Sequence, residues 1–139
     1  MMCIVLRKVR SGRQARIYAQ GSETICPLYA FLRELKRNNS ALLAKVAALL
    51  DRTAEAGPPR NTEKCRYFRD KDVFELKADA VRIMAFWDEG CVIVCSHGFT
   101  KKTQKTPPGE LERATRSRSE YFRAKRENRL SYGTEDDDA

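Results

Sequence analysis

The chain has one histidine, His97, and one tryptophan, Trp87, in 139 residues. A paired-histidine nuclease is therefore excluded. Acid–base chemistry must draw on Lys, Arg, Tyr, carboxylates or that one imidazole. No apolar run approaches the roughly 20 residues of a membrane span, and the stretch Met1–Leu6 is too short for a signal-peptide core. A cytoplasmic location is the expectation. Cysteine is present in an odd number, at positions 3, 26, 65, 91 and 95, with no C-x-x-C pair. That pattern favours reduced thiols and gives no convincing zinc ligand set. Cys91 and Cys95 sit in Cys-Val-Ile-Val-Cys, which reads as one strand with both thiols on the same face.

What is present is charge. Lys and Arg number 27 against 19 Asp and Glu, a net charge of +8. Glu135, Asp136, Asp137 and Asp138 are four of those acids, so the remainder carries 27 against 15, or +12. A domain this basic suggests a polyanionic partner, nucleic acid above all, or an acidic antagonist protein. With 42% hydrophobic and 33% charged residues, the composition is that of a folded domain. One domain over residues 1–130 is expected, with 1–14 as an extension or a hairpin strand and 131–139 as an acidic disordered tail.

Ile4–Val9 and Ala15–Ala19 read as strands across the turn residues Ser11 and Gly12. Pro27 opens a helix with Leu28, Phe31, Leu32 and Leu35 on one stripe. Ser40 is the expected N-cap of a second helix, which carries Leu42, Leu43, Val46, Leu49 and Leu50 and stops before Gly57-Pro58-Pro59. Four short apolar runs then follow, 65–68, 73–76, 81–86 and 91–96, the pattern of an antiparallel meander. A last amphipathic helix spans about 108–127. The expected architecture is α+β: an antiparallel sheet with an N-terminal helical hairpin packed on it and a C-terminal helix.

Basic residues recur where these strands end. Lys77 closes one strand and Arg82 opens the next, and the strand ending at His97 delivers Lys101, Lys102 and Lys105 to the same edge. Such a cluster suits a phosphodiester: Arg grips two oxygens at once, Lys is a mobile point charge, and crowding lowers a lysine pKa. Arg82, beside a polar turn, is expected to reach solvent, so that its loss costs little stability.

The string Gly98-Phe-Thr-Lys-Lys-Thr-Gln-Lys-Thr-Pro107 resembles the "GF-x-KK-T-x-K-T-P" signature of the phage-derived Gp49-like family, within the RelE/HigB group of bacterial toxins. Pro27–Leu35 is similar to that family's "P-x-x-x-FL-x-x-L" helix, Val73–Lys77 to its "(L/V)-(Y/F)-E-L-R", and Val81–Ile83 to its "Y-R-I". Glu110, Ala114 and Arg116 or Arg118 resemble its closing helix, so the likeness runs from about Ala15 to Phe122. Lys77 stands in place of the usual Arg and Val81 in place of an aromatic.

The resemblance implies a RelE-like fold and the toxin of a type II toxin–antitoxin pair, an endoribonuclease that cuts mRNA on the ribosome without metal or cofactor. It implies 2′,3′-cyclic phosphate and 5′-hydroxyl ends, and a helix-turn-helix antitoxin bound in a hetero-oligomer. Arg82 is the expected charge stabiliser, Lys77 the base or second clamp, and Lys101 or Lys102 the group serving the leaving oxygen. Lys105, His97 and Tyr121 are the expected RNA contacts. Two other functions fit the same residues: a ParE-like toxin acting on gyrase, and a non-catalytic RNA- or protein-binding module.

Overall fold

The computed structural model describes residues 3–102 and 105–133. Two strands lead the chain, β1 (Ile4–Ser11) and β2 (Arg16–Gly21), paired as an antiparallel hairpin. Two helices follow, α1 (Pro27–Asn38) and α2 (Ser40–Ala56). Pro27 sits in the first turn of α1, where its missing N–H has no intrahelical partner to lose. The N-cap of α2 is Asn39, not Ser40: its side chain accepts the Leu42 N–H at 3.1 Å. The chain then forms β3 (Cys65–Phe68), β4 (Val73–Ala78), β5 (Val81–Asp88) and β6 (Val92–Thr100). It closes with α3 (Pro108–Arg126) and the short β7 (Leu130–Tyr132).

The seven strands make one sheet in the order β3-β4-β5-β6-β2-β1-β7. This corrects the expected architecture in two respects. The sheet is mixed, because β2 runs parallel to β6 and β1 runs parallel to β7. The helical pair is also not N-terminal; it follows the β1–β2 hairpin, in which residues 4–11 are a hairpin strand, the second of the two readings of 1–14. The β1–β2 hairpin fails to remain an appendage because Ile17 and Ala19 are fully buried and pair with Ile93 and Cys95 in the middle of the sheet. The acidic tail reading is corrected at its start, since Ser131 and Tyr132 belong to β7; residues 134–139 lie outside the described residues.

The sheet is a middle layer. On one face α1 and α2 cover Ile17, Leu76, Ile83, Ile93 and Cys95. On the other α3 covers Leu6, Met84, Phe86 and Val94, with Tyr121 and Ala124 as its buried contacts. Alternation along each strand therefore sorts side chains to two buried cores. Cys95 is in the first core, but Cys91 is exposed in the turn before β6 with φ +60°, so the two thiols do not share a strand face. All five cysteines are free thiols. Among the described residues no helix is long and apolar enough to cross a membrane.

Two pieces of the signature meet in one contact. A Cβ placed on Gly98 of β6 would lie 2.6 Å from the Phe31 ring of α1. Glycine there lets the helix settle onto the sheet next to the strand end that carries Phe99, Thr100 and Lys101.

Candidate nucleic-acid site

The hairpin β4–β5 sets the site. Its two-residue turn, Asp79-Ala80, uses a left-handed φ of +52° at Asp79 and is tied to α2 by Lys45 Nζ, 2.6 Å from Asp79 Oδ2. That hydrogen bond holds the Asp79 carboxyl below its ordinary pKa. Register then dictates the neighbours. Lys77 faces Arg82 across the hairpin, and Glu75 lies between Arg66 of β3 and Met84 of β5. Residues directly opposite share a face, so Arg66, Glu75, Lys77 and Arg82 all project to the α3 side of the sheet. Beyond the end of β6, the Lys101 N–H donates to the Ala80 carbonyl at 2.7 Å, which brings that lysine to the same corner.

At the centre is a carboxylate without solvent. Glu75 is 0% exposed. Its Oε2 accepts the Thr106 hydroxyl at 2.7 Å, which pins the segment after Lys105 over the sheet. Among the described residues its Oε1 has no hydrogen-bond partner and lies 3.7 Å from Arg82 Nε, a buried N–H likewise without a partner there. The two opposite charges face each other, the carboxylate without solvent contact.

Arg82 is consequently not the solvent-reaching side chain expected from its place beside a turn. Its side chain is 14% exposed. Nη1 donates to the Asp79 carbonyl at 2.5 Å and the Val81 carbonyl at 2.9 Å, and Nη2 makes no hydrogen bond to a described residue. Lys77 is half-buried, with Nζ donating to the Thr62 carbonyl at 3.0 Å. Lys101 has its pKa lowered, first by burial and then by Arg82, Lys77 and Arg66, with Glu75 opposing. Four cations thus surround one buried anion.

Of the residues expected from sequence, Arg82, Lys77 and Lys101 converge here. Lys102 and Lys105 are exposed on the adjoining segment, and no contact of Lys102 with the cluster is seen. Two expected RNA contacts are corrected, because neither has surface with which to make one. His97 is 1% exposed, with Nδ1 2.8 Å from Ser96 Oγ and Nε2 2.9 Å from Glu110 Oε1. A register shift places Ser96 as an extra residue between Cys95 and His97, and Ser96 reaches Ser117 of α3 at 2.8 Å. Burial lowers the His97 pKa to about 4, with Arg113 adding to the shift and Glu110 opposing it. Tyr121 is 2% exposed; its hydroxyl donates to Asp88 Oδ2 at 2.6 Å, and its pKa is raised by burial and by that bond. Both belong to the packing beneath α3.

Sequence reasoning missed Arg66. The only signal was its register opposite Glu75, which a four-residue edge strand does not advertise. Among the described residues no group of three or more His, Cys, Asp or Glu is placed to hold a metal ion.

The family model described as Phage derived protein Gp49-like (DUF891) matches residues 30–119. The chain belongs to that Gp49-like family. The matched segment starts in α1, ends in α3 and contains Arg66, Glu75, Lys77, Arg82, Lys101 and Thr106. The hairpin β1–β2 and the strand β7 of this Gp49-like protein lie outside it. No curated protein matches the chain.

Proposed function

We propose that this Gp49-like protein is the toxin of a type II toxin–antitoxin pair, of RelE/HigB type, and that it cleaves mRNA on the ribosome. The observation that carries the reading is the convergence of Arg82, Lys77, Lys101 and Arg66 around buried Glu75 at one corner of the sheet. Membership of a toxin-like family supports it.

In the proposed reaction the ribose 2′-oxygen attacks the adjacent phosphorus. An O2′–P bond forms and the P–O5′ bond breaks, giving a 2′,3′-cyclic phosphate and a 5′-hydroxyl. The 2′-hydroxyl proton leaves to solvent, and O5′ must gain one. Arg82, held on three sides by Glu75 and two carbonyls, is preorganised to aim Nη2 at the phosphorane oxygens without reorganising during reaction. Lys77 is the second clamp. Lys101, whose lowered pKa eases release of its proton, protonates O5′. A cationic body of this kind also suits an acidic segment of an antitoxin, with opposite charge accelerating encounter.

The test is expression without a partner, with transcript ends mapped. Growth arrest with new 5′-hydroxyl ends inside open reading frames is the expected result. Intact transcripts with gyrase trapped on broken DNA would move the assignment to a ParE-like toxin. Neither effect would leave a binding module.

A further inference from the structure

We propose that Thr106 is a positioning residue for the cleavage: its hydroxyl fixes the buried carboxylate that aims Arg82, and by the same bond seats the segment that carries Lys101. The proposal rests on the nuclease reading above and adds a residue that touches neither the phosphate nor the reacting oxygens.

The terminal torsion of a glutamate is broad and roughly two-fold, so its carboxylate is oriented by partners and not by its own rotamer. The Glu75 carboxylate has one hydrogen-bond partner among the described residues, the Thr106 hydroxyl, which donates to Oε2 at 2.7 Å. With Oε2 held, Oε1 faces Arg82 Nε across 3.7 Å. A charge-assisted contact of this kind closes to about 2.7–2.9 Å when it is built for cohesion. The wider gap leaves Oε1 and Nε both without a hydrogen bond among the described residues. The contact therefore sets a direction for the guanidinium rather than the tightest pairing, and Thr106 sets the direction of the carboxylate.

The same bond anchors the basic segment at its far end. Lys101 starts that segment with its N–H on the Ala80 carbonyl at 2.7 Å, and Thr106 ends it on Glu75. Ala80 and Glu75 both belong to the β4–β5 hairpin, so the segment is tied at each end to the element that carries Lys77 and Arg82. Beyond Thr106 the chain has little freedom. Pro107 has φ −59° and ψ 136°, Pro108 opens α3, and a residue before proline is confined to extended conformations. The start of α3 is in turn fixed to β6 by Glu110, whose Oε1 lies 2.9 Å from His97 Nε2. Thr106 thus stands where the hairpin, the basic segment and α3 are joined.

Thr106→Val keeps the shape and removes the hydroxyl, and Thr106→Ser restores it. Each is assayed by single-turnover cleavage on programmed ribosomes across pH, with melting to verify the fold and trypsin cutting after Lys105 to follow the segment. Thr106→Val should cut mRNA about 100-fold more slowly at saturating ribosomes, the cost of a misplaced contact, with half-saturation little changed. Its alkaline decline should move to higher pH as Lys101 loses burial while Glu75, Arg82, Lys77 and Arg66 remain its charged neighbours. Trypsin should cut after Lys105 faster. Thr106→Ser should return all three readouts toward the parent. Should Thr106→Val not fold, Glu75→Gln gives the same comparison without a stranded charge. Its amide oxygen still accepts from Thr106, so adding Thr106→Val should slow it further, and no further slowing overturns the proposal. A folded Thr106→Val with parental rate and pH profile also overturns it, leaving Thr106 to satisfy one buried oxygen. A parent that cuts no mRNA overturns the nuclease reading, and the proposal with it.

Discussion

Removing Arg82 tests two roles at once, and the structure says how to separate them. Arg82→Ala deletes the cation that faces Glu75, a carboxylate that is 0% exposed. Breaking a buried pair by removing one partner costs about 3–5 kcal/mol, because the other charge is left uncompensated. The charges here are 3.7 Å apart, and Thr106 still serves Oε2, so the low end, about 3 kcal/mol, applies. For a chain of this size that is a fall of roughly 10 °C in Tm. Glu75→Gln removes the stranded charge, so the double variant should recover at least about 1.5 kcal/mol of the loss in a double-mutant cycle. Cleavage should behave differently. The nitrogen proposed to face the phosphate is gone in both variants, and on that proposal each should cut about 100- to 1,000-fold more slowly. The assays are urea denaturation of the single and double variants and single-turnover cleavage on programmed ribosomes. Cleavage that recovers together with stability would show that Arg82 only holds the fold. An Arg82→Ala midpoint unchanged from the parent would refute the buried-pair argument outright.

Gly98→Ala should destabilise by about 1–3 kcal/mol through overpacking against Phe31, with Phe31→Ala in the same chain restoring part of the loss; urea midpoints measure both. His97 is neutral in the fold, its pKa lowered to about 4 from 6.5, so the unfolded chain binds the extra proton between those values. Stability should be full above about pH 6.5 and fall by up to about 3 kcal/mol as the pH drops toward 4, and His97→Gln should lose that component in melts run across the range. Lys101 acts protonated in the proposed reaction, so cleavage should decline as pH rises through its lowered pKa. Lys101→Ala should cut more slowly and lack that alkaline decline, read from a pH–rate profile.

The elements were legible where their signal is local. Gly57-Pro58-Pro59 ends α2, Pro27 begins α1, and the four runs between Cys65 and Cys95 are strands β3 to β6. Their antiparallel pairing follows from short turns. The parallel pairs were hidden because nothing near Arg16 in the chain points to Val92, and nothing near Ile4 points to Leu130. Parallel neighbours are joined by long crossovers, which leave no turn motif to read. The cluster was legible as far as strand ends placed Lys77, Arg82 and Lys101 together. Its buried centre was not. Glu75 between Phe74 and Leu76 reads as a residue that orients Lys77 or Arg82, and only a sheet covered on both faces makes it a core carboxylate. His97 misled for the same reason: the polar step after a buried strand is here the underside of α3.

The pairing of β1 with β7 joins segments about 126 positions apart in the chain. Contacts this distant form late, since the intervening chain must be ordered before they reward it. During synthesis the outer edge of β1 therefore stands open, with unpaired backbone groups, until Leu130–Tyr132 have been added. An open edge is a template for another strand. The antitoxin proposed above would find that edge open only in this interval, while the outermost strand is still without a neighbour.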